Sequence, residues 1–211
     1  GRLVRRTLGR RNGGGGLSGA GETIHVMHVV PGLGPGGMEL AMVRVISGLT
    51  GADMRHTVVC LKGDPHVADR LPPETNVRCL RARPNEPQLP ARIGGLVRRL
   101  RPTVLHARNW GAWPDTALGR LLCLPRPPLI FSFHGLGRAG YMPLRRRMAS
   151  TMLVNLTNRL FTVSEQTRRM LIAYWGWPAG RTEVIHNGVD TERFRPLRGA
   201  SPGRRRLAVG T

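Results

Sequence analysis

The chain has 211 residues and a mass of 23.2 kDa, with 40% apolar and 21% charged residues, enough for one buried core with tails. Thirty-three basic residues against 12 acidic ones give a net charge of +21, and because Lys62 is the only lysine the excess is arginine. Three scattered cysteines, Cys60, Cys79 and Cys123, without a C-x-x-C pair exclude a disulfide-stapled scaffold and argue against a structural zinc knuckle, and no apolar run reaches the ~18 residues of a membrane-spanning helix.

The charge fits nucleic acid, anionic lipid or phosphorylated substrates as partners, and equally a GC-rich coding bias toward Arg, Gly, Ala and Pro. Residues 1–22 hold five arginines, one glutamate and a run of glycines, with no apolar periodicity. They are expected to form a flexible tail, since they bury too little apolar surface to offset ordering entropy. A basic nucleic-acid-binding module remains an alternative; aromatic residues at 5%, with no stacking motif or reading helix, speak against it.

From residue 23 the pattern alternates. Apolar runs at 24–30, 56–61, 76–80, 103–106, 129–133, 159–163 and 182–186 predict strands, and helix-length segments fall near 37–49, 65–71, 89–100, 114–123, 143–158 and 165–174. In 89–100, Leu89, Ile93, Leu96, Val97 and Leu100 share a side while Arg92, Arg98 and Arg99 face outward, and Pro102 stops the helix. Strands alternating with helices predict an α/β fold, a Rossmann-like parallel sheet with right-handed crossovers and helices on both faces. The domain is expected over 23–196. Residues 197–211 are expected to be a linker and the first strand of a second domain.

The first strand runs into a glycine turn, Pro31-Gly32-Leu33-Gly34-Pro35-Gly36-Gly37, that opens a helix. Such a turn lets the backbone approach a ligand and offers free N–H groups to phosphate. Gly32, Gly34 and Gly37 satisfy G-x-G-x-x-G, so an NAD-type oxidoreductase domain is one reading and a purely structural turn another. The dinucleotide reading lacks a well-placed acid: Asp53 precedes the second strand, and Asp64 lies 27 residues after Gly37.

Ligands of open α/β sheets bind beyond the carboxyl ends of the strands. Three histidines are expected there: His106 after the fourth strand, His134 after the fifth, and His186 before Asn187-Gly188. Beside His106, the run Arg108, Asn109, Trp110 and Trp113 forms a donor-rich, aromatic loop suited to sugar hydroxyls or an anionic acceptor. Gly135 permits close approach to His134. A zinc site from these histidines has neither H-E-x-x-H nor paired Cys behind it. His25 and His28 fall on the first strand and are expected to pack or meet solvent. Ser164 is either a helix N-cap, with Glu165 in the first turn, or a hydroxyl offered to the crevice. Segment 142–159 sets Arg145, Arg146 and Arg147 beside Met148, Met152, Leu153 and Leu156. It reads as a core-facing helix with a solvated basic face, with an anionic bilayer as the alternative partner.

Five motifs together, HVVPGLGPGGMEL, LRPTVLHARNW, the FHG around His134, FTVSEQTRRML and VIHNGVDTERF, resemble the N-terminal half of a GT-B-fold glycosyltransferase of family 4, of the bacterial exopolysaccharide or capsule type. The resemblance covers about residues 23–211. It implies two Rossmann-like domains facing across a cleft, the first holding mainly the acceptor and the second, absent after Thr211, holding a nucleotide-diphosphate sugar. It places Gly36 and Gly37 at the donor diphosphate, His134 as the catalytic residue near the transferred sugar, and Asn187 and Gly188 at the hinge. His106, Arg108, Asn109 and Trp110 are then expected at the acceptor, with Ser164 and Glu165 on the crevice rim. It further implies transfer with retention to a glycan or lipid-linked acceptor, no cofactor and no metal, in the cytoplasm, with peripheral contact at the inner face of the plasma membrane.

Overall fold

A computed structural model describes residues 23–51, 53–135 and 143–191. The tail expected at 1–22 and the linker and extra strand expected at 197–211 lie outside the described residues.

Seven strands form one parallel sheet: β1 (Ile24–Val30), β2 (Met54–Cys60), β3 (Asn76–Cys79), β4 (Val104–Arg108), β5 (Leu129–Phe133), β6 (Arg159–Thr162) and β7 (Thr182–Val184). Their order is β3-β2-β1-β4-β5-β6-β7, the Rossmann-like α/β arrangement read from the alternating pattern. Among the described residues five α-helices connect them: α1 (Gly37–Gly48), α2 (Leu89–Leu100), α3 (Trp113–Leu121), α4 (Leu144–Asn155) and α5 (Glu165–Trp175). The helix expected at 65–71 is instead a single 3-10 turn, Ala68–Arg70, because Pro65 and Pro72 leave room for only one turn between them.

Handedness decides which face each helix covers. The chain steps one way along the sheet from β1 to β3, then jumps past β1 and steps the other way from β4 to β7. Right-handed crossovers therefore place α1 on one face and α2, α3, α4 and α5 on the other. The two cores obey this. Odd positions of β1 (Met27, Val29) join Leu105, Ala107, Leu129, Phe131, Phe133 and Leu160 under α2–α5. On the other face Val30, Val58 and Cys60 pack against Met42, Val43 and Ile46 of α1.

The helices begin and end as their sequences dictate. Pro90 lies in the first turn of α2, and the N–H of Arg101, at φ 46°, closes the helix on the Val97 carbonyl. Gly176, at φ 70°, ends α5 in the left-handed conformation that favours glycine. Helices α2 and α3 touch through glycines: a Cβ on Gly119 would stand 2.6 Å from the Pro90 carbonyl oxygen. All four tryptophans belong to one aromatic cluster with Phe131 and Phe133, and Trp113 stacks on Phe131 at 3.9 Å between centroids. Trp113 is therefore core, the first residue of α3, and not part of a ligand-facing loop.

Candidate functional site

The strand order reverses between β1 and β4, which makes that edge the switch point where α/β sheets bind ligands. Going along the carboxyl rim, the glycine turn follows β1, Arg108-Asn109-Trp110 ends β4, His134-Gly135 follows β5, Ser164 follows β6, and His186-Asn187-Gly188 follows β7. Pro31 of the glycine turn abuts the next loop so closely that a Cβ on Gly111 would lie 3.0 Å from it.

Among the described residues, the face that carries α1 leaves β4–β7 without a helix of their own. There a groove of about 760 Å³ runs across the sheet. Val26, Val104, Ile130, Phe161, Val163 and Ile185 give it apolar walls, while Arg108, His134, Asn187 and Gly188 close it toward the carboxyl rim. Parity explains its polar floor. His28, His56 and His106 occupy the positions of β1, β2 and β4 that face this side, and His28 and His106 are register partners. His28 Nε2 meets His56 Nδ1 at 3.2 Å, and His106 Nε2 meets Ser132 Oγ at 2.9 Å. Ser132 Oγ in turn meets His134 Nε2 at 2.9 Å.

Three sequence expectations change here. His106 does not stand at the strand end: it lies within β4, buried and hydrogen-bonded to Ser132, because β4 continues to Arg108. Ser164 is an N-cap: its Oγ accepts from the Thr167 N–H at 3.2 Å and donates to Thr167 Oγ1, while Glu165 pairs with Arg168 on the exposed side at 3.6 Å. The apolar stripe of α4 splits: Leu153 is buried, but Met148 and Met152 are 63% and 72% exposed, in line with exposed Leu144 at four-residue spacing.

The structure thus gathers His106, Arg108, His134, Asn187 and Gly188 around one groove. Asn109, at φ 62°, hands its N–H to the Ser132 carbonyl, and Trp110 packs edge-on against Trp113 and Trp175. Gly36 caps α1 without a side-chain bond, and Gly37 begins it; a Cβ on Gly36 would collide with the Glu39 carboxylate, which folds back over this helix start. His25 bonds Thr57 and Arg55 on the opposite face, while His28 is buried at the groove. His28, His56 and Ser132 were missed as site residues. The signal was available: alternation from the apolar odd residues of β1 sets His28 on the even face, and the register brings His106 beside it.

Electrostatics keep this floor neutral. Burial first, and the Arg108 charge second, hold His28, His56 and His106 below the ordinary histidine value and lower His134 to about 4. Burial alone lowers Arg108 to about 10, so it stays charged at neutral pH. A depressed histidine favours the fold only while the unfolded chain is also neutral, so stability is lost as pH falls from about 6.5 toward 4. His134 alone is expected to cost about 2 kcal/mol between pH 7 and pH 5. Urea unfolding at the two pH values checks this. Equal midpoints would contradict it, and His134→Gln should flatten part of the dependence.

Among the described residues no group of three or more His, Cys, Asp or Glu is placed to hold a metal ion, and no helix is long and apolar enough to cross a membrane.

The comparisons with known proteins agree with this geometry. The chain belongs to glycosyltransferase family 4, whose profile matches residues 35–193. A search of curated proteins returns no significant match. Among solved structures, a glycosyltransferase from Rickettsia africae superposes with a TM-score of 0.66 at 16% identity, covering 81% of this chain and 44% of that one. Anabaena HepE in complex with UDP gives 0.59 at 18% identity over 80% and 45% of the two chains. A UDP-N-acetylglucosamine 2-epimerase from Rickettsia bellii gives 0.52 at 16% identity over 78% and 45%. The chain therefore spans about 45% of the length of these structures.

Proposed function

We propose that this domain forms the acceptor side of a transferase that moves a sugar from a nucleotide-diphosphate donor to a glycan or lipid-linked acceptor, with retention of configuration. The observation that carries the reading is the rim of the groove, which His134 and Arg108 both line, with the Arg108 charge felt at His134. Departure of a nucleoside diphosphate builds negative charge, which the helix start at Gly36-Gly37 and basic groups stabilise. In this reading His134, held neutral by burial and the Arg108 charge, stands beside the transferring sugar. The reaction needs no organic cofactor and no metal in this reading, and the donor's base is held by a second domain.

The likeness to an epimerase gives one competing reading, which isotope exchange separates. In deuterated water a 2-epimerase breaks and remakes the C2–H bond of the sugar and takes up deuterium there. A transferase leaves C2 untouched and releases nucleoside diphosphate in step with acceptor. Deuterium at C2 without acceptor would overturn the transferase reading.

Exposed Leu144, Met148 and Met152, flanked by Arg145, Arg146 and Arg147, make α4 a surface suited to an anionic membrane at the cytoplasmic side. Arginines near such a surface contribute about 1 kcal/mol each. Replacing the three with glutamate is expected to abolish sedimentation with vesicles of phosphatidylglycerol, and binding should fall with salt. Equal binding to neutral phosphatidylcholine vesicles would contradict it.

A further inference from the structure

We propose that Arg108 is the centre of an anion site that holds the phosphate or carboxylate group of the acceptor. The proposal rests on the reading of this domain as the acceptor side, and it specifies that the acceptor is anionic. Arg108 is 4% exposed at the end of β4, yet it lines the groove. Its Nε has no hydrogen-bond partner, and no carboxylate among the described residues forms an ion pair with it. Glu183, on the same groove, pairs with Arg159 at 3.4 Å instead. Burying an unpaired guanidinium is costly, and an arriving anion removes that cost.

The neighbouring groups point the same way. Three further orphaned buried atoms, His28 Nδ1, His56 Nε2 and His134 Nδ1, belong to residues lining the same groove. The bonds through Ser132 leave two proton arrangements for His134. Ser132 has one hydroxyl proton. If His106 Nε2 donates to Ser132 Oγ and Ser132 donates to His134 Nε2, the proton of neutral His134 sits on Nδ1, its unpartnered nitrogen. An anion accepts from that N–H and from Arg108 together, a charge-assisted pair of bonds. The opposite direction leaves Nδ1 a buried bare acceptor, so anion binding selects the first.

The test is a titration of the purified chain, without donor, by inorganic phosphate, by acetate and by decyl phosphate, with decyl glucoside as the neutral control. Histidine ring nitrogen shifts give the readout, and His25, on the opposite face, and exposed His66 serve as internal references. Saturable shifts at His28 and His134, with His25 and His66 unmoved, are expected for at least one anion and not for decyl glucoside. The tightest ligand tells whether the group arrives free or on an alkyl chain, and whether it is a phosphate or a carboxylate. Arg108→Met should weaken binding at least tenfold and raise the Tm, whereas Arg108→Lys should retain part of the affinity. Absence of shifts with every anion, or undiminished binding by Arg108→Met, would overturn the proposal. Because no transfer is measured, an inactive transferase would leave this result readable, and active transfer without anion binding would refute this proposal alone.

Discussion

His134→Ala is expected to lower sugar transfer by about 100-fold or more while leaving the fold intact, the usual scale for losing a positioned acid–base or charge-stabilising group. The side chain follows β5, next to Gly135 at φ 124°, and lines the groove. Its Nε2 is fixed by Ser132 and its Nδ1 is unpartnered. Burial and the Arg108 charge keep it neutral at working pH. In the proposed reading, removing it deletes a hydrogen bond beside the reacting centre but little packing, so the loss should appear in kcat and not in the melting temperature. Ser132→Ala, which frees the ring without removing it, should give an intermediate loss. Wild-type turnover in His134→Ala would take this residue out of the site.

Trp113→Ala is expected to destabilise the domain by about 3–5 kcal/mol, a fall of roughly 10 °C in Tm for a domain of this size. Trp113 is fully buried, stacks on Phe131 with an interplanar angle of 5°, meets Trp177 edge-on, and donates from Nε1 to Thr157 Oγ1 at 2.9 Å. Truncation therefore opens a cavity between α3 and the sheet and removes the bond that Thr157 Oγ1 accepts, leaving only the one it donates to the Leu153 carbonyl. Urea unfolding followed by the emission of the remaining tryptophans measures the change. A loss below about 1 kcal/mol would mean that the cluster repacks.

Much of this architecture is legible in the sequence because it is local. The runs at 24–30 and 129–133 are strands over those same residues, and α2 occupies 89–100 as its apolar spacing and Pro102 require. The Ser164 cap is legible as one of two roles for a serine followed by a single acid, Glu165, in the first turn. What escaped depends on contacts between distant segments. The sequence alone ends the fourth strand at His106, because only the pairing of β4 with β5 reveals that the strand continues through Arg108. Trp113 cannot be told from a loop aromatic until β5 sets Phe131 against it and the turn after α5 brings Trp177 beside it. Met148 and Met152 share a helical stripe with Leu156, yet the position of α4 at the edge of the core leaves them in solvent. The groove itself is a consequence of handedness: among the described residues, four crossovers on one face leave the other open beyond α1, and no single motif encodes that.

Membership of glycosyltransferase family 4 and the arrangement of the rim combine into one account, in which a glycine turn, Arg108 and His134 meet the two substrates at the switch point. The most direct test uses the tagged protein purified from its own cells, incubated with a panel of radiolabelled nucleotide-diphosphate sugars and a membrane extract as the acceptor source. The account predicts that label from one donor passes into an organic-extractable or high-mass product, and that His134→Ala abolishes it. Failure of every donor, combined with turnover of NAD by the same preparation, would contradict it.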